Sequence, residues 1–217
     1  MTNKDLANLI FPNINKTIAD YEKMYPKRDL TSDAIVTRFA PSPTGFVHMG
    51  SLFASFVSKK IAKDTNGIFY LRIEDTDQKR EVENGIEGIV SDLNNFNITI
   101  DEGAVSRKEF IGDYGPYIQS QRKEIYQTFI KHLLEIGLAY PCFCSSNEIE
   151  EIRKEQELSK NRIGYYGDYA KCRNIAIEEV FNKIKNNEKY IIRLKSPGNF
   201  ENKVVIDENI PILELVR

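Results

Sequence analysis

The stretch AIVTRFAPSPTGFVHMGS, residues 34–51, decides the fold. Its first six residues predict a short buried strand, and the prolines and glycine of APSPTGF then exclude both helix and strand. A helical pattern follows over Met49–Asp64, and its predicted apolar face consists of Leu52, Phe53, Phe56, Val57 and Ile61. After an Asn-Gly turn signal, IFYLRIE at 68–74 predicts a second strand. Strand, loop, helix, turn and strand form a βαβ unit, so the sequence predicts an α/β fold with a parallel sheet and a right-handed crossover.

Outside this unit the chain alternates between helical and extended patterns. Residues 1–33 predict a helical N-terminal extension that packs on later elements of the chain and ends before Pro26. Further helices are predicted over Val82–Asn95, Ser120–Ile136, 145–158 and Ile175–Lys185. The third of these begins with the capping-box pair Ser145 and Glu148. Further strands are predicted over residues 139–144 and Lys189–Lys195, followed by an apolar stretch at Val204–Ile206.

Composition narrows the class of protein. Thirty Lys and Arg residues against 32 Asp and Glu give a net charge of −2, so no overall basic field marks a nucleic-acid binder, although a local basic stripe would be enough for RNA. No apolar run approaches the roughly 18 residues of a membrane span, and the first residues lack a secretory core. We therefore expect a cytoplasmic protein without membrane contact. Three cysteines, an odd number, argue against a disulfide framework.

The loop after the first strand is a candidate phosphate site. The end of a parallel strand, a loop and a helix N-terminus together form the place where open α/β sheets bind ligands. His48 and Ser51 would add side-chain donors there, and Gly50 would let a flat ring approach the backbone. The segment matches neither a P-loop nor a dinucleotide fingerprint, and a histidine can also begin a helix without any function.

The loop after the second strand carries three carboxylates, those of Glu74, Asp75 and Asp77. They could bind an ammonium group, a hydroxyl-bearing ligand or a divalent metal, or they could form a solvated acidic turn. Both loops of a βαβ unit leave the same edge of the sheet. We therefore expect side chains of the two loops to face one crevice, namely those of Arg38, Ser42, His48 and Glu74.

These segments resemble the class I aminoacyl-tRNA synthetases, in particular the glutamyl-tRNA synthetase family. RFAPSPTGFVHMGS is similar to the family's first signature, with HMGS where the class motif reads H-[IV]-G-[HGS]. The resemblance continues through LRIEDTD, DEG, GPYIQSQRKEIY, GLAYPCFC and CRN, and so covers most of residues 34–195. It implies a Rossmann-like parallel sheet, incomplete here, with an inserted α+β acceptor-binding subdomain. The implied domains are a helical extension (1–33), the first half of a nucleotide-binding domain (34–110) and a truncated acceptor-binding insertion (111–217).

The resemblance also implies an activity. Glutamate would attack the α-phosphate of ATP, and the glutamyl group would then pass to the terminal adenosine of tRNA(Glu), with Mg²⁺ bridging phosphate oxygens. The implied glutamate-binding residues are Arg38, Ser42 and Glu74. The implied ATP-binding residues are Thr44, His48, Gly50 and Ser51, of which the last three are also the implied catalytic residues. Thr76 and Asp77 match positions near the tRNA 3′ end. The implied state is a monomer.

Three cysteines suggest a metal site. In an extended Cys142-Phe-Cys144 segment both thiols point to one face, and Cys172 comes later in the chain. Structural zinc needs four ligands. The fourth could be a phenol, a carboxylate or water, and the candidates are Tyr169, Tyr166 and Asp168, or the thiols could be idle. Some glutamyl-tRNA synthetases hold zinc at a comparable site completed by tyrosine or histidine, and we name Tyr169 as the fourth ligand of a Zn²⁺ site.

The family's second signature, K-[ML]-S-K-[RS], is absent from these 217 residues. Its lysines would stabilise charge at the transition state, and their loss would cost a rate factor of about 10³ or more. We therefore expect an N-terminal fragment that does not aminoacylate tRNA alone. Three alternatives stay open: a glutamyl-queuosine tRNA synthetase-like paralogue, a nucleotidyltransferase, and a non-catalytic module that binds RNA or zinc.

Overall fold

The computed structural model describes residues 1–77 and 79–195. The α-helices are α1 (Asn3–Ile10), α2 (Ile18–Met24), α3 (Met49–Asp64), α4 (Gly85–Asn95), α5 (Lys123–Glu135), α6 (Ser146–Leu158) and α7 (Ile177–Lys185). The strands are β1 (Val36–Phe39), β2 (Ile68–Leu71), β3 (Glu102–Ala104), β4 (Phe110–Ile111), β5 (Ala139–Cys142) and β6 (Ile191–Leu194). The described chain divides into two compact units. The sheet unit is Lys16–Thr128, and the hairpin unit joins Met1–Asn15 to the described residues from Phe129 onward.

The sheet unit is built on the predicted βαβ motif. Strands β1, β2 and β3 are parallel and adjacent, β4 runs antiparallel to β3, and α3 connects β1 to β2. The core packs the apolar side chains of β2 against those of α4, and its fully buried members include Phe69, Leu71, Ile89 and Leu93. The predicted α/β class and parallel sheet are therefore confirmed.

The predicted apolar face of α3 is confirmed at Leu52 and wrong at its other four residues, which are exposed. The buried positions are Leu52, Ser55 and Ala62, whereas Phe53 is 68% exposed and Phe56 is 54% exposed. Small side chains let a helix approach a sheet closely, and Ser55 satisfies its hydroxyl by donating to the Leu52 carbonyl at 2.8 Å. The large side chains consequently lie on the outer face of the helix. We call the exposed residues Phe46, Met49, Phe53 and Phe56 the apolar stripe.

The hairpin unit contains the first and last described elements. Strands β5 and β6 pair antiparallel, and Leu6 of α1 packs against Val180 and Phe181 of α7. Ala7 packs in a second cluster with Leu134 and Ala139. The α1 helix therefore packs on elements more than 100 residues later in the chain, as its apolar positions require.

Residues 1–33 contain helices α1 and α2, and α2 ends before Pro26, but the two helices fall in different units. The α2 helix belongs to the sheet unit. There Arg28 forms an ion pair with Glu102 at 2.5 Å and lies 3.6 Å from the ring centre of Tyr114. The division between the two units passes through α5, between Thr128 and Phe129, and follows compactness alone. The predicted domain bounds of 34–110 and 111–217 therefore stay predictions. The Val204–Ile206 stretch lies outside the described residues.

The remaining elements lie close to their predicted positions. Helices α3 and α6 begin and end within a residue of the prediction, and α6 begins with the predicted capping box, in which Ser145 and Glu148 bond to each other's backbone N–H. The strand predicted over 139–144 ends at Cys142. Within the described part of the chain, no helix combines the length and the apolar character that crossing a membrane requires.

Two glycine substitutions test the packing of the sheet unit. Gly103 has a φ of +142°, and a Cβ there would lie 2.5 Å from the Leu71 carbonyl oxygen. We expect Gly103→Ala to lower the free energy of unfolding by about 1–3 kcal/mol, because both the backbone and the contact are strained. Thermal unfolding followed by circular dichroism measures the change.

Gly88 provides the matched control. It lies inside α4, and a Cβ there would meet open space. Gly88→Ala should raise stability by up to about 1 kcal/mol, because alanine is the better helix former. Equal effects of the two substitutions would contradict the close contact between β2 and β3.

Candidate functional site

Backbone hydrogen bonds join the two loops that follow β1 and β2. The Arg72 N–H donates to the Phe39 carbonyl at 3.0 Å, and the Glu74 N–H donates to the Pro41 carbonyl at 2.9 Å. The parallel ladder thus continues past the ends of both strands. It holds the first loop beside the second.

This pairing brings Arg38, Arg72 and Glu74 into one cluster. A Glu74 carboxylate oxygen lies 3.2 Å from an Arg72 guanidinium nitrogen and 4.0 Å from one of Arg38. Two guanidinium groups around one carboxylate leave one positive charge in excess. The Nε atom of Arg72 is buried and has no hydrogen-bond partner among the described residues. The cluster is therefore suited to an additional carboxylate, which a guanidinium fork binds well.

The sequence analysis did not single out Arg72 as a site residue. The spacing between Arg72 and Glu74 could have indicated this role. Arg72 and Glu74 are two residues apart in an extended segment, and side chains at that spacing share one face. The face that carries Glu74 toward Arg38 therefore also carries Arg72.

The start of α3 lies at the end of the first loop. His48 is its N-cap residue and makes no capping hydrogen bond with its side chain. His48 and Gly50 are exposed, whereas Ser51 is half-buried. The first N–H groups of a helix have no partner within it, so they favour an anion here. A Cβ at Gly50 would meet open space, so packing does not require a glycine at this position.

The segment at residues 82–85 anchors the first loop through contacts with Pro43. Pro43 is fully buried, and its carbonyl accepts a hydrogen bond from the Val82 N–H at 3.0 Å. A Cβ at Gly85 would lie 2.8 Å from the same oxygen, so a glycine permits the close approach. Within this anchored loop Ser42 is exposed, and the Thr44 N–H donates to the Ser42 carbonyl at 2.9 Å.

Asp75 is a structural carboxylate rather than part of a solvated acidic turn. It is 2% exposed and accepts hydrogen bonds from the Ser120 N–H at 2.9 Å and the Ser120 hydroxyl at 2.6 Å. Arg107 lies 3.2 Å from it and also pairs with Glu81. Burial raises the pKa of Asp75, but the Ser120 hydrogen bonds outweigh it, and the pKa lies below its ordinary value.

The other two residues of this loop that the sequence singled out lie at the surface. Thr76 is exposed. Asp77 is partly exposed and forms an ion pair with Arg80 at 2.6 Å. With Asp75 buried, the three carboxylates of the loop have separate partners, so together they do not form a metal site.

The three cysteines come together in the hairpin unit. Their Sγ atoms lie within 4.8 Å of one another, and those of Cys144 and Cys172 are 3.6 Å apart. The hydroxyl of Tyr165 lies 3.3 Å from the Cys142 sulfur and 3.2 Å from the Cys144 sulfur. We call these four residues the thiol cluster. Its three thiols are donors of the kind that zinc accepts, and the Tyr165 hydroxyl places a fourth, oxygen donor beside them.

The phenol at the cluster is that of Tyr165, which sequence reasoning did not consider as a ligand. The Tyr169 hydroxyl, named from the sequence, accepts a hydrogen bond from the Asn161 amide at 3.1 Å. The Tyr166 hydroxyl donates to the Arg162 carbonyl, and Asp168 is exposed. The turns at Gly167–Tyr169 and Lys171–Asn174 set these directions, and no periodic pattern in the sequence predicts them.

Backbone contacts fix the thiol cluster. The Phe143 N–H donates to the Cys172 sulfur at 3.4 Å, and the Cys172 N–H donates to the Tyr165 hydroxyl oxygen at 3.2 Å. Burial raises the pKa of Cys142, but hydrogen bonds from Tyr165 and Arg193 outweigh it and lower the pKa. Burial raises the pKa of Cys144 to about 11. One thiol is therefore held closer to its thiolate form than the other.

Comparison with known proteins identifies relatives that match most of this chain. The model of the family described as "tRNA synthetases class I (E and Q), catalytic domain" matches residues 34–211. Two curated relatives, each a "Glutamate--tRNA ligase", come from Acetivibrio thermocellus (52% identical over 97% of this chain) and Clostridium beijerinckii (52% over 94%). The chain spans 38% and 37% of their lengths.

A solved structure shares the fold. It is the crystal structure of a glutamate tRNA ligase from Elizabethkingia meningosepticum in complex with its amino acid. The TM-score is 0.64 at 35% identity, and the match covers 76% of this chain and 33% of the other. The parallel sheet of β1, β2 and β3 is therefore that of a class I synthetase catalytic domain.

The lowered pKa of Asp75 predicts how stability depends on pH. A carboxylate whose pKa is lower in the folded state stabilises the fold above its unfolded pKa, and this contribution disappears as the pH falls through the folded value. At pH 7 we expect Asp75→Asn to cost about 1–3 kcal/mol, because the Ser120 N–H and hydroxyl lose the charged, buried acceptor that they share. Below about pH 4 the difference from wild type should shrink.

Thermal midpoints of both proteins between pH 7 and pH 3 measure this dependence. Asp77→Asn is the matched control, because its carboxylate is partly exposed and its ion pair is a surface one, so its effect should stay small at each pH. An Asp75→Asn difference that does not change with pH would contradict the role of the charge.

Proposed function

Because the chain belongs to the class I tRNA synthetases for glutamate and glutamine, we propose that it acts in a glutamate–tRNA ligase. In the proposed reaction a glutamate carboxylate attacks the α-phosphate of ATP, pyrophosphate leaves, and glutamyl-adenylate forms. A ribose hydroxyl of the terminal tRNA adenosine then takes the glutamyl group, and AMP leaves. The curated relatives from Acetivibrio thermocellus and Clostridium beijerinckii both carry the name of this activity.

The observation that carries the proposal is the cluster of Arg38, Arg72 and Glu74. Its excess positive charge favours a substrate that brings a carboxylate, and the Glu74 carboxylate favours one that also brings an ammonium group. Glutamate brings both. We assign its side-chain carboxylate to Arg38 and Arg72 and its α-ammonium to Glu74. The exposed hydroxyl of Ser42 supplies a further hydrogen bond.

We assign ATP to the start of α3, because its free N–H groups favour phosphate oxygens. His48 and Ser51 would donate to the phosphates, Gly50 would face the adenosine, and Thr44 would add a contact from the anchored loop. Mg²⁺ bound with ATP would neutralise negative charge that develops on the phosphates during the reaction. No protein nucleophile is needed, since alignment and charge stabilisation supply the catalysis.

We assign the tRNA 3′ end to the surface beside Glu74. Thr76 is exposed there and Asp77 is partly exposed, and the buried Asp75 between them and Glu74 fixes the segment to Ser120. A rigid segment would present the glutamate site and the acceptor end at a constant separation. The cytoplasmic location and the monomeric state stay predictions.

We infer that the thiol cluster holds a structural zinc ion. At a Zn–S distance of about 2.3 Å, tetrahedral ligands lie about 3.8 Å apart, close to the 3.6 Å between the Cys144 and Cys172 sulfurs. Tyr165 is the fourth donor in this proposal, in place of Tyr169. Zinc would tie the end of β5 to the turns at residues 165–174. It takes no part in the reaction.

Binding of a non-hydrolysable glutamyl-adenylate analogue tests the glutamate site. We expect the chain to bind the analogue in isothermal titration calorimetry and Arg38→Ala to raise the Kd about 10- to 100-fold, because a charged hydrogen bond contributes about 1.5–3 kcal/mol. Arg153→Ala is the control, since Arg153 forms only a surface ion pair on α6. Zinc binding without analogue binding would favour the RNA- or zinc-binding module instead.

Metal analysis tests the zinc site. We expect one zinc ion per chain, lost in Cys144→Ser, and a lower thermal midpoint after treatment with a chelator, because bound metal stabilises the folded state. Ser146→Ala is the matched control, because it changes a hydroxyl close to the cluster and leaves all four donors in place. Wild-type chain that still holds much less than one zinc ion per chain after purification and reloading with zinc would contradict the inference.

A further inference from the structure

A cation lies against the thiol cluster. The guanidinium carbon of Arg193, on β6, is 4.2 Å from the centre of the Tyr165 ring. Its Nε atom is buried and has no hydrogen-bond partner among the described residues. A guanidinium with one nitrogen buried and unpartnered favours negative charge nearby, because removing part of an ion from water without compensation is costly.

The pairing of β5 with β6 explains how Arg193 reaches the cluster. Arg193 lies directly opposite Tyr140, and Cys142 lies opposite Ile191. Residues two apart on a strand share a face, as do residues directly opposite each other in the pair. Arg193 and Cys142 are therefore diagonal neighbours on the same face, a separation that lies within reach of a side chain as long as arginine.

A thiol cluster loaded with zinc would carry a net negative charge. Three thiolates and one Zn²⁺ carry a net charge of −1, with a neutral phenol as the fourth donor. Arginine remains protonated at any pH a folded protein experiences. One guanidinium at the cluster therefore brings the sum of charges to zero. Cysteine-rich metal sites depend on such partners around the ligands.

Another cation in this unit has a different partner. Lys183 lies 5.4 Å from the centre of the Phe143 ring, and its ammonium forms an ion pair with Glu188 at 3.1 Å. Its charge is thus balanced by a carboxylate rather than by sulfur. Lys183 provides a matched control, because it lies close to the same loop and carries the same charge.

We propose that Arg193 is a positioning residue that neutralises the loaded thiol cluster through Cys142 and holds the Tyr165 ring against the sulfurs. The proposal rests on the zinc site inferred above. Arg193 does not bind the metal. It lowers the cost of keeping a site with net negative charge beneath the surface of the hairpin unit.

Zinc affinity measured by competition with a chromophoric chelator tests the proposal. We expect Arg193→Met to weaken zinc binding about 10- to 100-fold, as loss of a partner around a metal ligand generally does. Arg193→Lys should restore most of the affinity, because it keeps the charge, and Lys183→Met should bind zinc as wild type does. Cobalt(II) absorption provides a second readout, since a thiolate-to-metal band reports the ligand set directly.

The outcomes separate the two proposals. Wild type that binds neither zinc nor cobalt overturns the zinc site itself. Wild type that binds both, with Arg193→Met binding zinc equally well, overturns the role of Arg193 alone. Arg193→Lys as weak as Arg193→Met overturns charge neutralisation. Should Arg193→Met fail to fold, Arg193→Gln replaces it, since glutamine keeps a planar polar group without charge, and wild-type affinity there also overturns the proposal.

Discussion

The buried carboxylate of Asp75 is the constraint on which the candidate active site depends. A charge in that position is tolerated only with hydrogen bonds, and Ser120 and Arg107 supply them. Satisfying Asp75 therefore fixes the path of the backbone on either side of it. That path places Glu74 between two arginines and leaves Thr76 at the surface. Binding chemistry at this edge of the sheet thus follows from a residue that need not contact any substrate.

Much of this architecture was predictable from the sequence, because it follows from periodic patterns. Spacing of three and four gave the bounds of α3, and a capping box gave the start of α6. The rule that parallel strands end at one edge was enough to bring Arg38 and Glu74 together. The alternation of side chains in an extended segment likewise grouped Cys142 with Cys144. These inferences succeed because each depends on backbone geometry that neighbouring residues share.

The features that the sequence did not predict have a common physical origin, namely contacts that no local sequence pattern encodes. The inner face of α3 was missed because Ser55 and Ala62 are selected by the distance between helix and sheet, not by hydrophobicity. Tyr165 was missed because two short turns, each without a repeat, decide which phenol meets the sulfurs.

The apolar stripe, which lies on α3 and in the loop before it, should promote self-association of the chain. Burying a side chain such as Phe or Met contributes about 1.5–3 kcal/mol, and all four side chains of the stripe are exposed to solvent. Any surface that covers them gains that free energy, so attraction between molecules should grow with protein concentration. Sulfate and other excluded salts would strengthen it. We therefore expect these exposed side chains to limit the concentration at which the chain stays dispersed.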